Sequence, residues 1–185
     1  MRTYLRIKSV SVAAVLCLAC TATIAAHAGE KDFIPKPLTV AWMNEQLNNH
    51  DAKHVVRILW DQERDVEFLD NIASGKSDWI SFAPRIAPGT DGAASEDLGI
   101  SLAYALPKNP KAVLKVLDKK DWTISFERVC SIPFLTPTKK FYTSYAREAL
   151  LAVRNVIDKQ LREQKKLCLI VLNHASTLNI EFEDQ

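Results

Sequence analysis

Glycine, proline and cysteine are all scarce in this chain of 185 residues, which contains 5, 8 and 4 of them. So few glycines and prolines exclude a collagen-like or low-complexity protein. With 48% hydrophobic and 25% charged residues, the composition also excludes an intrinsically disordered chain. A long apolar run occurs only within the first 28 residues, which excludes a membrane protein with several spans. The length favours one domain, or at most two.

The N-terminal segment has the three parts of a secretory signal peptide. Basic residues come first, and they are Arg2, Arg6 and Lys8. The apolar run Val10–Ala19 follows, and Ala26-His27-Ala28 has the small-x-small pattern of a cleavage site. Two threonines and a histidine keep the apolar stretch shorter than the roughly 20 residues of a transmembrane span. We therefore expect residues 1–28 to be cleaved off between Ala28 and Gly29, and the mature protein to be periplasmic or secreted.

The net charge of the chain changes sign when the signal peptide is removed. The whole chain carries +2, but without Arg2, Arg6 and Lys8 it retains 21 basic residues against 22 acidic ones, which is a net charge of −1. A protein that binds nucleic acid would need a basic surface. Short pairs such as Lys139-Lys140 are typical of solvated helix faces. We expect no nucleic acid among the partners.

Two of the four cysteines, Cys17 and Cys20, lie in the signal peptide. A lipoprotein signal that uses Cys20 is a weak alternative, because the residue three positions earlier is Cys17 rather than leucine. The remaining pair, Cys130 and Cys168, would enter an oxidising compartment, where two cysteines usually form a disulfide bond. Their separation of 38 residues predicts a stabilisation of roughly 3.5 kcal/mol from chain entropy. A catalytic thiol or half of a metal site is less favoured, because C-x-x-C is absent from the mature chain and only His174 lies near either cysteine.

Apolar residues recur with helical spacing along nearly all of the mature chain. Start signals divide the pattern into short helices: Asp51 is a predicted N-cap, and Asn109-Pro110 and Thr136-Pro137 each place a capping residue before a proline. In Trp122–Phe126 the apolar residues also alternate, so both a helix and a short strand fit that stretch. After an extended linker at 29–37, we expect residues 38–185 to form one all-α domain, an array of short helical hairpins with one disulfide. The tryptophans lie on predicted apolar faces and are expected in the core; they are Trp42, Trp60, Trp79 and Trp122.

Candidate catalytic and metal-binding patterns are incomplete in this sequence. His50 and His54 have the i, i+4 spacing of a helical metal pair, but a cap at Asp51 would leave His50 outside the helix. The acids within Asp61–Asp65 begin like a calcium loop, but Val66 stands where that loop needs glycine. The motifs G-x-S-x-G, S-x-x-K and H-E-x-x-H are absent. We therefore assign no catalytic residue, no metal and no cofactor from the sequence.

Two turns between predicted helices, Gly89–Asp97 and Leu106–Pro110, are the candidate binding surface, because loops between rigid hairpins often carry recognition residues. The candidate residues are Thr90, Asp91, Glu96 and Asn109. The glycines of the first turn precede a helix as they do in a phosphate loop. However, Asp91 and Glu96 would repel an anion, and the lysine of such a loop is missing.

The stretch from Trp79 to Leu117, which contains GTDGAASEDL and AYALPKNPKAVLKVL, is followed by Cys130-Ser-Ile-Pro-Phe. In these segments the chain resembles an uncharacterised family of exported proteobacterial helical proteins. The resemblance covers about half of the mature chain and implies export and a helical fold, without a particular activity. In architecture alone, a small exported helical chain with one disulfide is also similar to the periplasmic immunity proteins that neutralise secreted cell-wall amidases. None of their diagnostic motifs is matched, so no inhibitory residue is transferred to this sequence.

These patterns favour an exported, non-enzymatic helical protein that binds another envelope or secreted protein, as an adaptor or as an inhibitor of the immunity type. One alternative is an envelope hydrolase with a dispersed active site, which would show a pocket with two or more titratable groups of shifted pKa. Another is a carrier of a small ligand or lipid, which would show an apolar cavity among the helices.

Overall fold

The computed structural model describes residues 33–178, and every regular element in that range is helical. All of these residues belong to one compact unit. The α-helices, in chain order, are α1 (Val40–Asn49), α2 (Ala52–Asp61), α3 (Asp65–Ala73), α4 (Ser77–Ile80), α5 (Ala83–Ile86), α6 (Gly92–Ala105), α7 (Pro110–Val116), α8 (Phe126–Val129), α9 (Lys139–Arg154) and α10 (Arg162–Thr177). Short 3-10 helices lie at Ala87–Gly89, Trp122–Ile124 and Lys159–Leu161. The predicted all-α class is confirmed.

Side-chain caps begin several of these helices at the positions that the sequence indicates. The Asp51 carboxylate accepts a hydrogen bond from the His54 amide (2.8 Å) at the start of α2. The Asn109 side-chain oxygen accepts one from the Ala112 amide (3.1 Å) at the start of α7, where Pro110 is the first helical residue. Each cap satisfies an amide that has no partner within the helix.

The start of α9 differs from the expectation. Thr138 is the N-cap rather than Thr136, and its hydroxyl accepts a hydrogen bond from the Phe141 amide (3.2 Å). Pro137 therefore precedes the cap instead of following it. Thr136 has a φ of +37°, which lies outside the extended conformation that an N-cap needs.

The stretch Trp122–Phe126 is helical: a 3-10 turn at Trp122–Ile124 is followed directly by α8. The turn directs Thr123 and Ile124 inwards and leaves Trp122 64% exposed, so the expectation that Trp122 belongs to the core is wrong. Its ring lies against the guanidinium carbon of Arg128, 5.8 Å from the ring centroid. A three-residue turn is too short for apolar spacing to show which side faces the core.

The core of the first eight helices is closely packed, with α3 against α6 near its centre. Its largest fully buried side chains are Met43, Leu59, Phe68, Ile72, Ile80, Phe82, Ile86, Leu98, Leu102, Leu106, Leu114 and Ile124. Helices α9 and α10 pack as an antiparallel pair. The Tyr142 hydroxyl near the start of α9 donates to the Ala175 carbonyl near the end of α10 (2.7 Å), and Lys165 near the start of α10 donates to the Arg154 carbonyl at the end of α9 (2.6 Å).

The Cys130–Cys168 disulfide is present, as predicted, and both cysteines are fully buried. Cys130 lies at the C-terminal end of α8, and Cys168 lies in the middle of α10. The bond therefore joins the last long helix to the eight-helix core. The predicted signal peptide and its cleavage site at Ala28-Gly29 lie outside the described residues.

Residues 33–37, in the predicted linker, have no regular secondary structure but pack against the domain. Ile34 is buried, and the Pro35 carbonyl accepts a hydrogen bond from Arg64 (3.0 Å). Arg64 also pairs with Glu67, whose carboxylate accepts the Leu38 amide (2.7 Å). Burial raises the pKa of Glu67, but the Leu38 and Arg64 hydrogen bonds outweigh it, and the pKa lies below its usual value. The segment is thus fixed to α3 rather than free.

Candidate functional site

The two predicted binding turns lie at opposite ends of α6. Thr90 and Asp91 precede its first residue and Glu96 lies in its second turn, whereas Asn109 lies beyond its end. The 14 residues of α6 span about 20 Å at 1.5 Å per residue. The structure therefore does not bring the four residues together on one face.

Asn109 connects three parts of the fold. Besides capping α7, its amide nitrogen donates to the Gly75 carbonyl (2.9 Å) and to the Ser77 hydroxyl (3.0 Å). Gly75 has a φ of +86°, and a side chain there would contact Lys108. The turn after α3 and the turn before α7 are thus packed together, and Asn109 uses its polar atoms to hold them.

The residues of the first turn make local contacts. The Thr90 hydroxyl donates to the Ala87 carbonyl (2.8 Å) and closes the preceding 3-10 turn. Asp91 is exposed at the N-cap position of α6, and its side chain makes no capping hydrogen bond. Glu96 forms an ion pair with Arg128 (3.5 Å). Thr90 and Glu96 therefore make contacts within the fold, whereas the Asp91 carboxylate is exposed.

A different part of the surface contains an open apolar groove of about 450 Å³, which we call the aromatic groove. It lies between α6, the start of α9 and the loop that joins α8 to α9. Its lining residues are Ile100, Tyr104, Phe134, Leu135, Thr136, Pro137, Thr138 and Phe141. Leu135 is 74% exposed at the rim, and Phe141 is 37% exposed.

The aromatic rings of the groove form one contact network. The Phe134 ring lies 4.5 Å from Tyr104, 5.1 Å from Phe141 and 4.7 Å from Tyr145, measured between centroids. Tyr145 lies beneath them, and its hydroxyl donates to the Ala103 carbonyl (2.8 Å). Burial raises the pKa of Tyr145, so this hydroxyl keeps its proton. Edge-to-face and tilted ring contacts of this kind hold the aromatic surface in place.

The loop that carries Leu135 has an unusual backbone. Ile132 and Thr136 have φ values of +61° and +37°, the left-handed region that β-branched residues rarely adopt. Such conformations cost on the order of 1–3 kcal/mol each and persist only where the surrounding structure enforces them. The two residues flank the exposed apolar part of the loop.

The first turn of α9, next to this loop, is basic. Lys139 and Lys140 are both exposed there, and the turn contains no acidic residue. Positive charge at a helix N-terminus opposes the helix dipole. Strained backbone, exposed apolar side chains and unfavourable charge therefore coincide within residues 132–141. Features that work against stability often coincide at functional sites.

The sequence patterns did not predict this groove. Of the two apolar residues in the loop, the half-buried Phe134 ends the Cys130-Ser-Ile-Pro-Phe segment that carries the resemblance, and the exposed Leu135 lies just outside it. The available signal was this apolar pair beside two prolines in a loop, Pro133 and Pro137, because a loop rarely exposes large apolar residues without a reason.

Within residues 33–178 three carboxyl groups have shifted pKa values, and they lie in different parts of the fold. Burial raises the pKa of Asp97 on α6, and the charges of Asp65 and Glu96 raise it further. A hydrogen bond from Lys111 holds the pKa of Asp158 below its usual value, with a distance of 3.0 Å between the two side chains. Glu67 on α3 is the third. None of the grooves described here combines two of these carboxyl groups.

The two histidines with the spacing of a metal pair lie side by side in the structure. The rings of His50 and His54 are stacked, with 4.3 Å between their centroids. His50 lies between α1 and α2, and the next residue, Asp51, is the N-cap of α2. No group of three or more histidine, cysteine, aspartate or glutamate side chains in the described part of the chain is arranged to hold a metal ion. No described helix is both long and apolar enough to cross a membrane.

No protein-family model, curated protein or solved structure matches this chain. The groove geometry and the chemistry of its residues are therefore the basis for a functional proposal.

Proposed function

We propose that this is an exported, non-enzymatic helical protein of the periplasm or the secreted fraction that binds another envelope or secreted protein. It acts as an adaptor or as an inhibitor of the immunity type, and it binds through the aromatic groove. The observation that carries the proposal is the coincidence of exposed apolar side chains, two left-handed β-branched residues and a basic helix start within residues 132–141.

The groove has the physical character of a protein-binding surface. Exposed aromatic and aliphatic side chains gain free energy when a partner covers them, and anchors of this kind dominate many interfaces. The ring network holds Tyr104, Phe134 and Phe141 in fixed positions, so little conformational entropy is lost on binding. A rigid apolar groove of this size suits one or two anchor side chains of a partner.

Export is proposed on the signal-peptide pattern of residues 1–28, with further support from the disulfide. Both cysteines of the mature sequence are used in one bond, and such bonds persist in oxidising compartments. Intact mass of the purified protein tests this part: cleavage gives a chain that starts at Gly29 and is two daltons lighter than its reduced form. An uncleaved N-terminus would contradict the proposed export route.

The binding proposal is tested by affinity capture of the tagged protein from its native envelope fraction. Leu135→Gln replaces the rim side chain, and Ile157→Gln is the matched control, because Ile157 is a 94% exposed apolar loop residue outside the groove. A stoichiometric protein partner should be recovered with the wild type and the control. Its recovery should fall about tenfold or more with Leu135→Gln, as for an interface anchor.

Three other outcomes would contradict the proposed function. Equal recovery with both variants would place binding elsewhere on the surface and contradict the role of the aromatic groove. Recovery of a bound lipid or small ligand without a protein would favour a carrier. Turnover of envelope material by the purified protein would favour the hydrolase.

A further inference from the structure

The outward sides of α9 and α10 adjoin and form one surface, which we call the basic face. On α9 its exposed residues follow one another at intervals of seven, four and three positions, so they lie along one side of the helix. They are Lys140, Arg147, Leu151 and Arg154. The opposite side of α9 is buried against the core and includes Tyr145, Ala149 and Val153.

Helix α10 continues the basic face. Cys168, Leu172 and Ala175 are buried, so the opposite side of this helix points away from the core. The exposed residues of that side are Arg162, Lys166 and Ile170. The Arg154 guanidinium on α9 donates a long hydrogen bond to the Asn173 side chain on α10 (3.4 Å), which joins the outward sides of the two helices.

An open groove of about 430 Å³ runs along the basic face where the two helices meet. Its lining combines apolar, hydroxyl and basic side chains, and none of these residues is acidic: Tyr142, Thr143, Ala146, Arg147, Leu150, Leu151, Arg154 and Ser176. Leu151 is 60% exposed, and Ile170 on α10 is 57% exposed. The basic face therefore combines exposed aliphatic side chains with positive charge.

The positive charge of the described residues is concentrated in α9, α10 and their connection. Residues 139–178 contain eight basic and three acidic side chains, a net charge of +5, whereas residues 33–138 contain 12 basic and 14 acidic ones, a net charge of −2. Glu163 lies at the edge of the basic face. In the described part of the chain, none of the five basic residues of this face forms an ion pair with an acidic side chain. Their charges are therefore available to an external anionic surface.

Basic side chains around exposed aliphatic ones suit the surface of an anionic lipid bilayer. The phosphates of the headgroups attract the lysines and arginines, and the aliphatic side chains enter the boundary between headgroups and acyl chains. The long apolar stems of lysine and arginine let their charged ends stay among the headgroups while Leu151 and Ile170 lie deeper. A polyanion in water, such as a nucleic acid or an acidic protein segment, would use the charges but gain little from these two aliphatic residues.

We propose that the basic face binds the surface of a bilayer that contains anionic phospholipid. Leu151 and Ile170 enter the headgroup region, and the basic residues of the face pair with lipid phosphates. The protein binds at the bilayer surface, with its long axis of contact along α9 and α10. The proposal does not rest on the proposed function, because the aromatic groove lies on a different side of α9.

The test is co-sedimentation with sucrose-loaded vesicles in about 0.1 M salt, using the chain from Gly29 to Gln185. Vesicles with about 30% phosphatidylglycerol in phosphatidylcholine should bind the protein about tenfold or more tightly than vesicles of phosphatidylcholine alone. The chain is kept to its last residue because Glu181, Glu183 and Asp184, which lie outside the described residues, also contribute charge. No binding to the anionic vesicles, or equal binding to both kinds, would overturn the proposal.

The charges of the basic face have their own variants. Arg147→Gln with Arg154→Gln should weaken binding to the anionic vesicles about tenfold or more, because each basic side chain contributes close to the membrane surface. Lys119→Gln with Lys120→Gln is the matched control: it removes the same charge from two exposed lysines in the loop after α7. The control should weaken binding less than about threefold. Equal losses would assign binding to net charge rather than to this face and would overturn the proposal.

The aliphatic residues distinguish a bilayer from a soluble polyanion. Leu151→Gln with Ile170→Gln should weaken vesicle binding about fivefold or more, because the apolar side chains no longer leave water. Val66→Gln with Leu135→Gln, which replaces two exposed apolar residues outside the basic face, should leave binding unchanged. Full binding by the Leu151 and Ile170 variant would show that charge alone holds the protein, as for a nucleic acid or an acidic protein, and would overturn the proposal. Thermal unfolding confirms that each variant is folded.

Discussion

Asn109 shows how one polar residue can look like a binding residue in the sequence and have a structural role in the fold. Its side-chain oxygen caps α7, and its nitrogen reaches a carbonyl 34 residues earlier in the chain. All of these hydrogen bonds lie within the protein. Its polar groups are therefore already used before any partner arrives.

We expect Asn109→Ala to lower the free energy of unfolding by about 2 kcal/mol, because it removes a helix cap and leaves the Gly75 carbonyl without its side-chain donor. The measurement is urea denaturation followed by circular dichroism. Asp91→Ala is the matched control, because Asp91 occupies an N-cap position without a side-chain hydrogen bond. Its cost should be less than about 0.5 kcal/mol.

Asn109→Asp refines the same prediction. The aspartate keeps an oxygen for the cap but has no nitrogen to donate to Gly75 or Ser77. Its stability should lie between those of the wild type and Asn109→Ala. Equal losses for Asn109→Ala and Asp91→Ala would show that the contacts of Asn109 contribute nothing to stability.

At the scale of elements, the packing of the 3-10 turn Ala87–Gly89 on the start of α2 depends on Gly89. A Cβ atom at this position would lie 2.3 Å from the carbonyl carbon of Ala52 and 2.5 Å from the Lys53 nitrogen, both backbone atoms. Neither can move unless the helix itself shifts. The close approach therefore requires glycine on steric grounds.

We expect Gly89→Ala to destabilise the protein by about 2–3 kcal/mol, because the added methyl group overpacks two backbones. Gly92→Ala is the control: no atom lies within 4 Å of its Cβ position, but its φ is +43°. The control should cost about 1 kcal/mol, from the left-handed conformation alone. Thermal unfolding of the two variants and the wild type measures these losses of stability. If Gly89→Ala lost no more stability than Gly92→Ala, the close packing at Gly89 would be contradicted.

At the scale of the whole molecule, the disulfide joins the α9–α10 pair to the eight-helix core. Besides the bond, α10 packs against α8 and α7. Cys130 and Cys168 are fully buried, so a reductant cannot reach the sulfur atoms while the protein is folded. The bond stabilises the fold mainly because it lowers the conformational entropy of the unfolded chain.

Replacement of both cysteines, Cys130→Ala with Cys168→Ala, should lower the free energy of unfolding by about 3–4 kcal/mol, the chain-entropy value for this loop length. Equilibrium urea denaturation of the variant and the oxidised wild type measures the difference. The wild type should also resist millimolar dithiothreitol until denaturant is added. A loss below about 1 kcal/mol, or rapid reduction without denaturant, would contradict this account.

The sequence alone predicted the all-α class, the helix caps at Asp51 and Asn109, and the cysteine pairing. A cap such as Asp51 or Asn109 uses an amide only three residues away, so the signal is local and can be recognised in the sequence. The disulfide was predictable because two cysteines remain once the predicted signal peptide is set aside. Predicting these features does not require information about which helices are in contact.

Only the tertiary structure decided which apolar side chains are covered. Phe141 and Tyr145 belong to the same face of α9, but Tyr145 lies beneath Phe134 while Phe141 stays at the groove surface. Trp122 and Leu135 are apolar residues that no helix within residues 33–178 covers. Apolar spacing shows which side of a helix can be buried, whereas burial requires a neighbour that comes from distant parts of the chain. The aromatic groove lies where the described part of the chain supplies no such neighbour.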